Sequence, residues 1–238
     1  MKKAIILAAG VGSRIKKYHG KPKALLEFGK NKITIIERLY RILKKKNFSK
    51  ITVITGFRDK LLRDKFSKKD VKYIKFKNYK NTNNLQSLLF ARKELDSGFF
   101  CFFSDLIFDE KIIDKLLKIK SDFVLAIDSS KVLQGTMRIK LNSKTIKEIG
   151  NHVTKKRGDG NFIGIAKFSK KGTNTLKRYL NEEKKNKKDY YTIVFNKMVS
   201  SGQAINYYDC EGYFWKEIDT ISDFNEMKKI IIKNKFKY

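Results

Sequence analysis

The most informative stretch of the sequence reads Lys3-Ala4-Ile5-Ile6-Leu7-Ala8-Ala9-Gly10-Val11-Gly12-Ser13-Arg14. Its first part, Lys3–Ala9, is an almost continuous apolar run, which predicts a β-strand buried on both faces of a sheet. The two glycines that follow let the backbone approach a ligand closely, and successive N–H groups there can bind an anion. The stretch therefore predicts a strand followed by an anion-binding loop, with a simple tight turn as the alternative.

The spacing of the glycines separates this loop from two other phosphate-binding motifs. A dinucleotide-binding fingerprint needs a third glycine, and Ile15 stands in its place. A Walker A loop needs a glycine five residues before Gly20-Lys21, and none is there. The apolar run is also too short for the hydrophobic region of a typical signal peptide. The loop must therefore be interpreted from the residues around it.

Strand-like and helix-like segments alternate after this stretch. One helix begins with a capping box, Thr34-Ile35-Ile36-Glu37. The further strands predicted from apolar runs are Ile51–Thr55, Val71–Phe76, Phe99–Phe103 and Phe123–Ile127, and the other predicted helices are Arg58–Phe66, Asn84–Leu95 and Glu110–Ile119. This alternation is typical of an α/β fold with a doubly wound, mostly parallel, Rossmann-like sheet. Ligands of such sheets bind at the carboxyl ends of the strands.

The second half of the sequence changes character. The runs Met137–Leu141 and Thr145–Ile149 predict a β-hairpin, which a polar segment follows. The remaining predicted elements are a strand at Phe162–Phe168, two helices within Lys170–Ser201, a strand at Ile205–Tyr208 and a helix at Thr220–Ile232. Because no linker rich in Pro, Gly or Ser interrupts the chain, we expect one domain over residues 1–238. The hairpin and the later helices are expected to form a small lid.

The net charge of +31 comes from 46 Lys and only 9 Arg spread along the whole chain. A strongly basic chain ordinarily suggests nucleic-acid binding, but arginine, the residue best suited to contacts with bases and phosphates, is scarce. We therefore expect no specific nucleic-acid partner, and interpret the positive field as one that attracts small anionic substrates. No apolar run approaches the ~20 residues of a membrane span.

Cysteine and histidine are both rare in this chain. The two cysteines, Cys101 and Cys210, lie in strand-like surroundings and are expected to be buried free thiols. The two histidines, His19 and His152, form no cluster with them, so a zinc site is not expected.

Two cations follow the glycine loop. Arg14 comes directly after it, and Lys23 follows Pro22, the only proline of the chain. An arginine can hold phosphate oxygens through two hydrogen bonds, and a lysine over an α-phosphate can stabilise charge in a transition state. The loop with Arg14 and Lys23 therefore predicts a triphosphate site in which both cations take part in catalysis.

Acidic residues follow two strand-like segments. Asp105 comes directly after the run Phe99–Phe103, and Glu217 and Asp219 share one side of a later segment. Two carboxylates commonly hold Mg²⁺ beside substrate phosphates. Asp105 with either Glu217 or Asp219 would supply such a pair for a Mg²⁺ cofactor, and the alternatives are a helix-capping or turn role for Asp105 and a helix-capping role for Asp219.

These residues together resemble a known family. The pattern Leu7-Ala8-Ala9-Gly10-x-Gly12-x-Arg14 with Pro22-Lys23 resembles the signature of nucleotidyltransferases that make nucleotide-activated sugars and small alcohols. The motifs Asn83-Asn84-x-x-Ser87-Leu88 and Glu217-Ile218-Asp219-Thr220 resemble those of bacterial cytidylyltransferases that act on phosphocholine or 2-aminoethylphosphonate. The resemblance implies transfer of CMP from CTP to a small phosphorylated or phosphonylated acceptor, with release of pyrophosphate.

The resemblance also implies a role for each matching residue. Leu7, Ala8, Ala9 and Gly10 would line the base and ribose, and Gly12, Ser13 and Arg14 would bind the β- and γ-phosphates. Lys23 would contact the α-phosphate, and Asn83, Asn84 and Ser87 would lie near the cytosine. Asp105 and Asp219 would hold the Mg²⁺ cofactor, and Asp105 would take part in catalysis with Lys23 and Arg14. It further implies a nucleotide-binding half, residues 1–127, and an acceptor-binding half, residues 128–238. The family forms no covalent enzyme intermediate.

The acceptor side departs from the family pattern. Many relatives have a longer, proline-containing segment between the arginine and Pro22-Lys23, Met-Lys where this chain has Met137-Arg138, and Gly-Glu where it has Gly160-Asn161. A lost carboxylate matters for a cationic acceptor, because acids and aromatic faces bind quaternary ammonium groups. An aromatic cage could be built from Tyr190, Tyr191, Tyr213, Phe214 and Trp215, although such residues are more often part of the core. The predicted acceptor-binding residues are Arg138, Tyr190, Trp215 and Glu217.

Two other functions stay open at this point. One is a sugar-1-phosphate nucleotidyltransferase that uses UTP or dTTP, and the other is a basic protein that binds nucleotide or nucleic acid without catalysis. We expect a cytoplasmic location, because the chain shows no signal segment and the reaction needs an NTP. The sequence does not decide the assembly, for which a homodimer is the candidate.

Overall fold

The computed structural model describes residues 1–15 and 20–234, with side chains described as far as residue 230. Residues 16–19, which include His19 and most of the segment between Arg14 and Lys23 that departs from the family pattern, lie outside the described part. The strands are β1 (Lys2–Ala8), β2 (Glu27–Phe28), β3 (Ile33–Thr34), β4 (Phe48–Thr55), β5 (Val71–Lys75), β6 (Phe99–Phe103), β7 (Leu106–Phe108), β8 (Phe123–Asp128), β9 (Met137–Asn142), β10 (Thr145–Gly150), β11 (Gly160–Phe168), β12 (Asn206–Asp209) and β13 (Trp215–Glu217).

The α-helices are α1 (Ile35–Lys45), α2 (Asp59–Lys65), α3 (Asn84–Phe90), α4 (Lys111–Lys118), α5 (Lys170–Glu182), α6 (Ile193–Ser200) and α7 (Ile221–Asn234). Short 3-10 helices occur at Lys23–Leu25 and Arg92–Glu94. The predicted helix Asn84–Leu95 is therefore two elements, because the α-helix ends at Phe90. At the start of α1, the Thr34 hydroxyl accepts a hydrogen bond from the Glu37 N–H at 3.2 Å, as the capping motif predicts.

Nine strands form the main sheet, in the order β5-β4-β1-β6-β11-β8-β12-β10-β9. Strands β5, β4, β1 and β6 are parallel, as predicted for the first half of the chain. The apolar side chains of β1 alternate between the two faces, so that Ile5 and Leu7 lie in one core and Ala4 and Ile6 in the other. Helices α1, α2 and α4 cover one face, and α3, α5 and α6 cover the other. The doubly wound arrangement is therefore confirmed.

The prediction of a mostly parallel sheet is wrong for the second half. Strand β11 is antiparallel to β6, β8 and β9, and the hairpin strands β9 and β10 are antiparallel to each other. Gly164, with a φ of +89°, lies between the part of β11 that pairs with β9 and the part that pairs with β6. Glycine adopts this conformation without the penalty that a side chain imposes. Strand β11 can therefore pair with β9 before Gly164 and with β6 after it.

Strands β8, β12, β10, β9 and β11 pair in a closed circuit of five. The hairpin β9–β10 has nearly the predicted bounds. Because both of its strands are hydrogen-bonded to other strands of the circuit, however, the hairpin is part of the main sheet and not a separate lid.

The pair β7–β13 brings distant parts of the sequence together. Strand β13 is antiparallel to β7, with Glu217 opposite Leu106. The Ile218 N–H donates a hydrogen bond to the Asp105 carbonyl at 2.9 Å. Helix α7 follows, and its first turn is capped by Asp223, whose carboxylate accepts a hydrogen bond from the Thr220 N–H at 2.8 Å. These contacts fix the position of the segment that carries Glu217 and Asp219.

Both cysteines are buried free thiols, as expected from the sequence. None of the helices in the described part of the chain combines the length and hydrophobicity that a transmembrane span requires.

Candidate functional site

A cavity of about 530 Å³ opens at the carboxyl ends of β1 and β6. It lies at the place where ligands of doubly wound sheets bind. Its lining comes from distant parts of the chain: Leu7, Ala8, Ala9, Gly10, Val11, Gly12, Ser13, Arg14, Pro22, Lys23, Ala24, Phe76, Tyr79, Lys80, Thr82, Asn83, Asn84, Ser87, Phe103, Ser104, Asp105, Gly135, Met137, Asn151, Tyr190, Glu217 and Asp219. All of the predicted nucleotide and metal residues are in this set.

The glycine loop forms one wall of the cavity. Two glycines, Gly12 in the loop and Gly56 next to it, have no space for a side chain. Gly12 has a φ of +60°, and a Cβ atom there would lie 2.9 Å from Cγ of Lys23. Just before the loop, the Ala9 carbonyl accepts a hydrogen bond from the Phe57 N–H at 3.0 Å. A Cβ on Gly56 would lie only 2.6 Å from that carbonyl oxygen. The backbone of the loop is therefore held closely against β4's end and against the stem of Lys23.

Lys23 lies at the centre of an ion-pair cluster on the cavity floor. It opens the 3-10 helix Lys23–Leu25 directly after Pro22. Its Nζ donates to Oδ2 of Asp105 at 2.9 Å and also to Oδ1 of Asp219. Arg14 completes the cluster, with its guanidinium 3.0 Å from the other carboxylate oxygen of Asp219. Two cations and two acids from three distant parts of the sequence thus meet at one point.

Glu217 joins the two aspartates in a group of three carboxylates. One oxygen from each of Asp105, Glu217 and Asp219 lies within 4.8 Å of the others. Hard divalent cations prefer carboxylate oxygens, and a separation of this size allows several to share one ion. The donor set therefore fits a metal ion of the Mg²⁺ type, and the pairing of β7 with β13 is what brings it together.

The charges of this cluster depend on each other. Burial alone would lower the pKa of the Lys23 amine, but the negative charges of Asp105 and Asp219 more than offset it, and the pKa lies above its ordinary value. For Glu217, burial is the largest cause of a pKa raised well above its ordinary range, and the charges of Asp105 and Asp219 raise it further. The cluster therefore holds Lys23 as a cation, and its two aspartates disfavour a third negative charge on Glu217.

The start of α3 forms the opposite wall. Asn83 caps the helix, and its side chain accepts a hydrogen bond from the Asn84 N–H at 2.9 Å. Asn84 accepts one from the Tyr191 N–H at 2.8 Å, and the Ser87 hydroxyl donates to the Asn84 carbonyl at 2.9 Å. All three line the cavity, although much of their hydrogen-bonding capacity holds the wall in place.

The predicted acceptor residues separate into two groups. Tyr190 and Glu217 line the cavity, whereas Arg138 and Trp215 do not. Arg138 is buried, and its guanidinium donates to the carbonyls of Val153 and, at 2.8 Å, of Asn151. Its neighbour on β9, Met137, lines the cavity, so alternation along the strand turns Arg138 away from it. The indole N–H of Trp215 donates to Oδ2 of Asp128 at 2.7 Å.

The lining of this cavity therefore does not support the prediction that Arg138 and Trp215 bind the acceptor, because both side chains hold other parts of the fold, and the prediction stays untested. The same holds for the predicted aromatic cage. Of its five members only Tyr190 lines the cavity, whereas Tyr191, Tyr213, Phe214 and Trp215 lie elsewhere.

Replacement of Arg138 by methionine should therefore destabilise the protein. The change removes the donor to the buried Val153 carbonyl and to the part-buried Asn151 carbonyl, and we expect the free energy of unfolding to fall by about 2–4 kcal/mol. Urea denaturation measures this, and Arg157→Met is the matched control, because Arg157 is exposed and its guanidinium pairs with Glu148. Unchanged stability together with a raised KM for the acceptor would restore Arg138 as a binding residue.

Several lining residues escape the sequence analysis. Four of them come directly after β5, and a position after a parallel strand is itself a sequence signal for ligand binding. These four are Phe76, Tyr79, Lys80 and Thr82. Asn151 comes from the polar segment after the hairpin, and Gly135 from the loop before it. No local pattern marks these two, because only the closed circuit of strands brings them to the cavity.

Comparisons with known proteins agree with this geometry. Residues 4–159 match the MobA-like NTP transferase domain. A curated relative, the CTP:phosphoglutamine cytidylyltransferase of Campylobacter jejuni, is 24% identical over 70% of this chain and 72% of its own length. The bifunctional IPC transferase and DIPP synthase of Aquifex aeolicus is 26% identical over 98% of this chain and 53% of its own, so the chain spans about half of that relative.

Solved structures show the same fold at low sequence identity. The inositol-1-phosphate CTP transferase from T. maritima has a TM-score of 0.80 at 19% identity and covers 100% of this chain and 97% of its own. The CTP:phosphocholine cytidylyltransferase from Streptococcus pneumoniae has a TM-score of 0.73 at 18% identity and covers 97% and 99%. With the family match over residues 4–159, these findings show that the chain belongs to the MobA-like NTP transferase domain family and is a nucleotidyltransferase.

Proposed function

We propose that this protein is a Mg²⁺-dependent cytidylyltransferase that transfers CMP from CTP to a small phosphorylated acceptor and releases pyrophosphate. One observation carries the proposal: a single cavity joins the glycine loop to Lys23, Arg14 and a group of three carboxylates. The cytidylyl relatives named above support CTP as the nucleotide.

The reaction that this arrangement supports is an in-line displacement. An oxygen of the acceptor phosphate forms a bond to the α-phosphorus of CTP, and the bond between that phosphorus and the bridging oxygen of the β-phosphate breaks. The electron pair leaves with pyrophosphate. No covalent enzyme intermediate is needed, so catalysis consists of positioning and of neutralising charge.

The residues of the chain divide these tasks. The backbone N–H groups of Gly12 and Ser13 would hold the β- and γ-phosphates together with Arg14. Lys23 would contact the α-phosphate and stabilise the negative charge that develops on it in the transition state. The base and ribose would be lined by Leu7, Ala8, Ala9 and Gly10, with Asn83, Asn84 and Ser87 near the cytosine. On this proposal residues 1–127 bind the nucleotide and residues 128–238 the acceptor.

The carboxylates of Asp105 and Asp219 would hold the metal ion, with Glu217 beside them. When bound, Mg²⁺ polarises phosphate oxygens and neutralises developing charge. Lys23 pairs with both aspartates, so its amine lies beside the carboxylates that would hold the ion.

A pyrophosphate-release assay with Mg²⁺ tests the proposal. CTP, UTP, dTTP, GTP and ATP are each paired with phosphocholine, 2-aminoethylphosphonate, phosphoethanolamine and several sugar and polyol phosphates. We expect turnover with CTP and at least one small acceptor. Phosphocholine and 2-aminoethylphosphonate are the acceptors that the sequence resemblance implies. Turnover only with UTP or dTTP and a sugar 1-phosphate would overturn the choice of nucleotide, and no turnover with any pair would count against the enzyme activity.

A further inference from the structure

We propose that Gln86, a residue outside the cavity lining, is a positioning residue for the acceptor. Its side chain holds the segment 184–190 against α3, and this segment in turn places Tyr190 in the cavity. The inference rests on the proposed function, because the acceptor is a substrate of that reaction. It adds a residue that neither the sequence motifs nor the cavity lining identifies.

The segment 184–190 joins α5 to α6 and has little apolar surface with which to fix its own position. It reads Lys184-Lys185-Asn186-Lys187-Lys188-Asp189-Tyr190, and its four lysines are exposed. Such side chains repel one another and gain nothing from burial, so hydrogen bonds have to limit the conformational freedom of the segment. All seven residues are described, and of these seven only Tyr190 lines the cavity.

Gln86 supplies two of these hydrogen bonds. Its carboxamide nitrogen carries two N–H donors, and two carbonyl oxygens of the segment lie within hydrogen-bonding distance of it. These are the carbonyls of Lys184 at 3.1 Å and of Asn186 at 2.5 Å. Because Leu85 and Leu88 bury α3 in the core, the donors come from a fixed element.

Asn186 transmits this restraint to Tyr190. Its carboxamide nitrogen donates to the Asp189 carboxylate at 2.7 Å and to the carboxylate of the buried Glu183 at 2.9 Å. Its carboxamide oxygen accepts a hydrogen bond from the Asp189 N–H at 3.3 Å. Asp189 directly precedes Tyr190, so the backbone that leads into Tyr190 is fixed relative to α3.

The residue on the other side of Tyr190 is held by the same helix. The Tyr191 N–H donates to the carboxamide oxygen of Asn84 at 2.8 Å. The buried ring of Tyr191 packs edge to face against Phe103, at a centroid distance of 6.1 Å. Tyr190 therefore lies between two points that are attached to α3, one through Gln86 and one through Asn84.

Gln86 differs from its neighbours on α3 because it can be changed without altering the cavity wall. Asn83 also holds the segment, since its N–H donates to the Lys187 carbonyl at 2.9 Å. Asn83 and Asn84 both line the cavity, however, and Gln86 does not. An effect of replacing Gln86 on a bound substrate is therefore transmitted through the segment.

Replacement of Gln86 by methionine tests this role, because methionine has nearly the same length and no donor. The probe is the acceptor that turns over fastest with CTP and Mg²⁺ in the pyrophosphate-release assay. We expect KM for this acceptor to rise about fivefold, the effect of one net hydrogen bond, and KM for CTP and kcat to change by less than about twofold. An unchanged KM for the acceptor would overturn the inference.

Gln203→Met is the matched control. Gln203 is exposed, and its backbone N–H donates to the Met198 carbonyl at 2.9 Å, a bond that the change keeps. This variant should leave KM for the acceptor unchanged. A rise equal to that of the Gln86 variant would contradict a specific role for Gln86.

A double-mutant cycle shows whether Gln86 acts through Tyr190. In a Tyr190→Leu background, the Gln86 change should raise KM for the acceptor by less than about twofold further, because the effects of residues that act through one another are not additive. The same factor in both backgrounds would place the action of Gln86 elsewhere and overturn the inference.

Hydrogen exchange gives a readout that does not depend on turnover. In the substrate-free protein, backbone N–H groups of the segment should exchange faster in the Gln86 variant than in the unaltered protein or the Gln203 variant, because local opening becomes easier. Unchanged exchange would show that Gln86 does not hold the segment and would overturn the inference. No CTP-dependent turnover of the unaltered enzyme with any acceptor would instead overturn the proposed function.

Discussion

Replacement of Lys23 by methionine is expected to lower kcat by about a hundred- to a thousandfold, the range found when one preorganised donor to developing charge is removed. KM for CTP should change much less, because the contact strengthens mainly in the transition state. Methionine keeps an aliphatic stem, which matters because the stem of Lys23 packs directly on Gly12. Steady-state pyrophosphate release at varied CTP gives both constants.

Lys45→Met is the matched control for this variant. Lys45 is exposed and pairs with Glu110 at 2.6 Å on the outside of α1, far from the cavity lining. Its loss should change neither constant. The role of Lys23 would be refuted if its variant kept turnover and merely weakened the binding of nucleotide and acceptor equally. Circular dichroism of both variants separates a catalytic loss from a folding defect.

The first half of the fold could be predicted because its signals are local. The apolar run Phe99–Phe103 is a strand with the predicted bounds, and the Thr34 cap starts α1 where the motif places it. In contrast, no local sequence pattern indicates whether β11 runs parallel or antiparallel to its neighbours. An apolar run such as Phe162–Phe168 has the same composition whether its neighbours run parallel or antiparallel, and only the bend at Gly164 allows the observed pairing.

The candidate site also has one part that local sequence patterns predict and another that depends on contacts between distant residues. The glycine loop, Arg14 and Lys23 are close in sequence, and their pattern sufficed to place them together. Asp105 and Asp219 are 114 residues apart. Their positions after strand-like segments made Asp105 a candidate partner of Glu217 or Asp219, and the family resemblance selected Asp219. The structural cause is the pairing of β13 with β7, which is too short to give a sequence signal. Arg138 does not line the cavity, because residue type indicates what a side chain can bind and not which face of a strand it occupies.

The second large effect is expected for Asp105→Asn. This change removes one carboxylate from the group of three and keeps a side chain of nearly the same shape. Stabilisation of phosphate charge by a bound metal ion contributes several kcal/mol, so turnover at saturating Mg²⁺ should fall at least about a hundredfold. The rise in melting temperature that Mg²⁺ gives the substrate-free protein should also shrink, because a ligand stabilises the state that binds it. Initial rates and thermal melts over a Mg²⁺ titration measure the two effects separately.

Asp114→Asn makes the same chemical change at an exposed position, where the carboxylate pairs with Lys46 at 2.6 Å outside the cavity. This control should keep the full Mg²⁺ response in both measurements. An Asp105 variant that turns over at the unchanged rate would remove this residue from the metal site. A variant that loses turnover but keeps the whole Mg²⁺-dependent rise in melting temperature would assign Asp105 to the positioning of Lys23, since the two side chains are in direct contact at 2.9 Å.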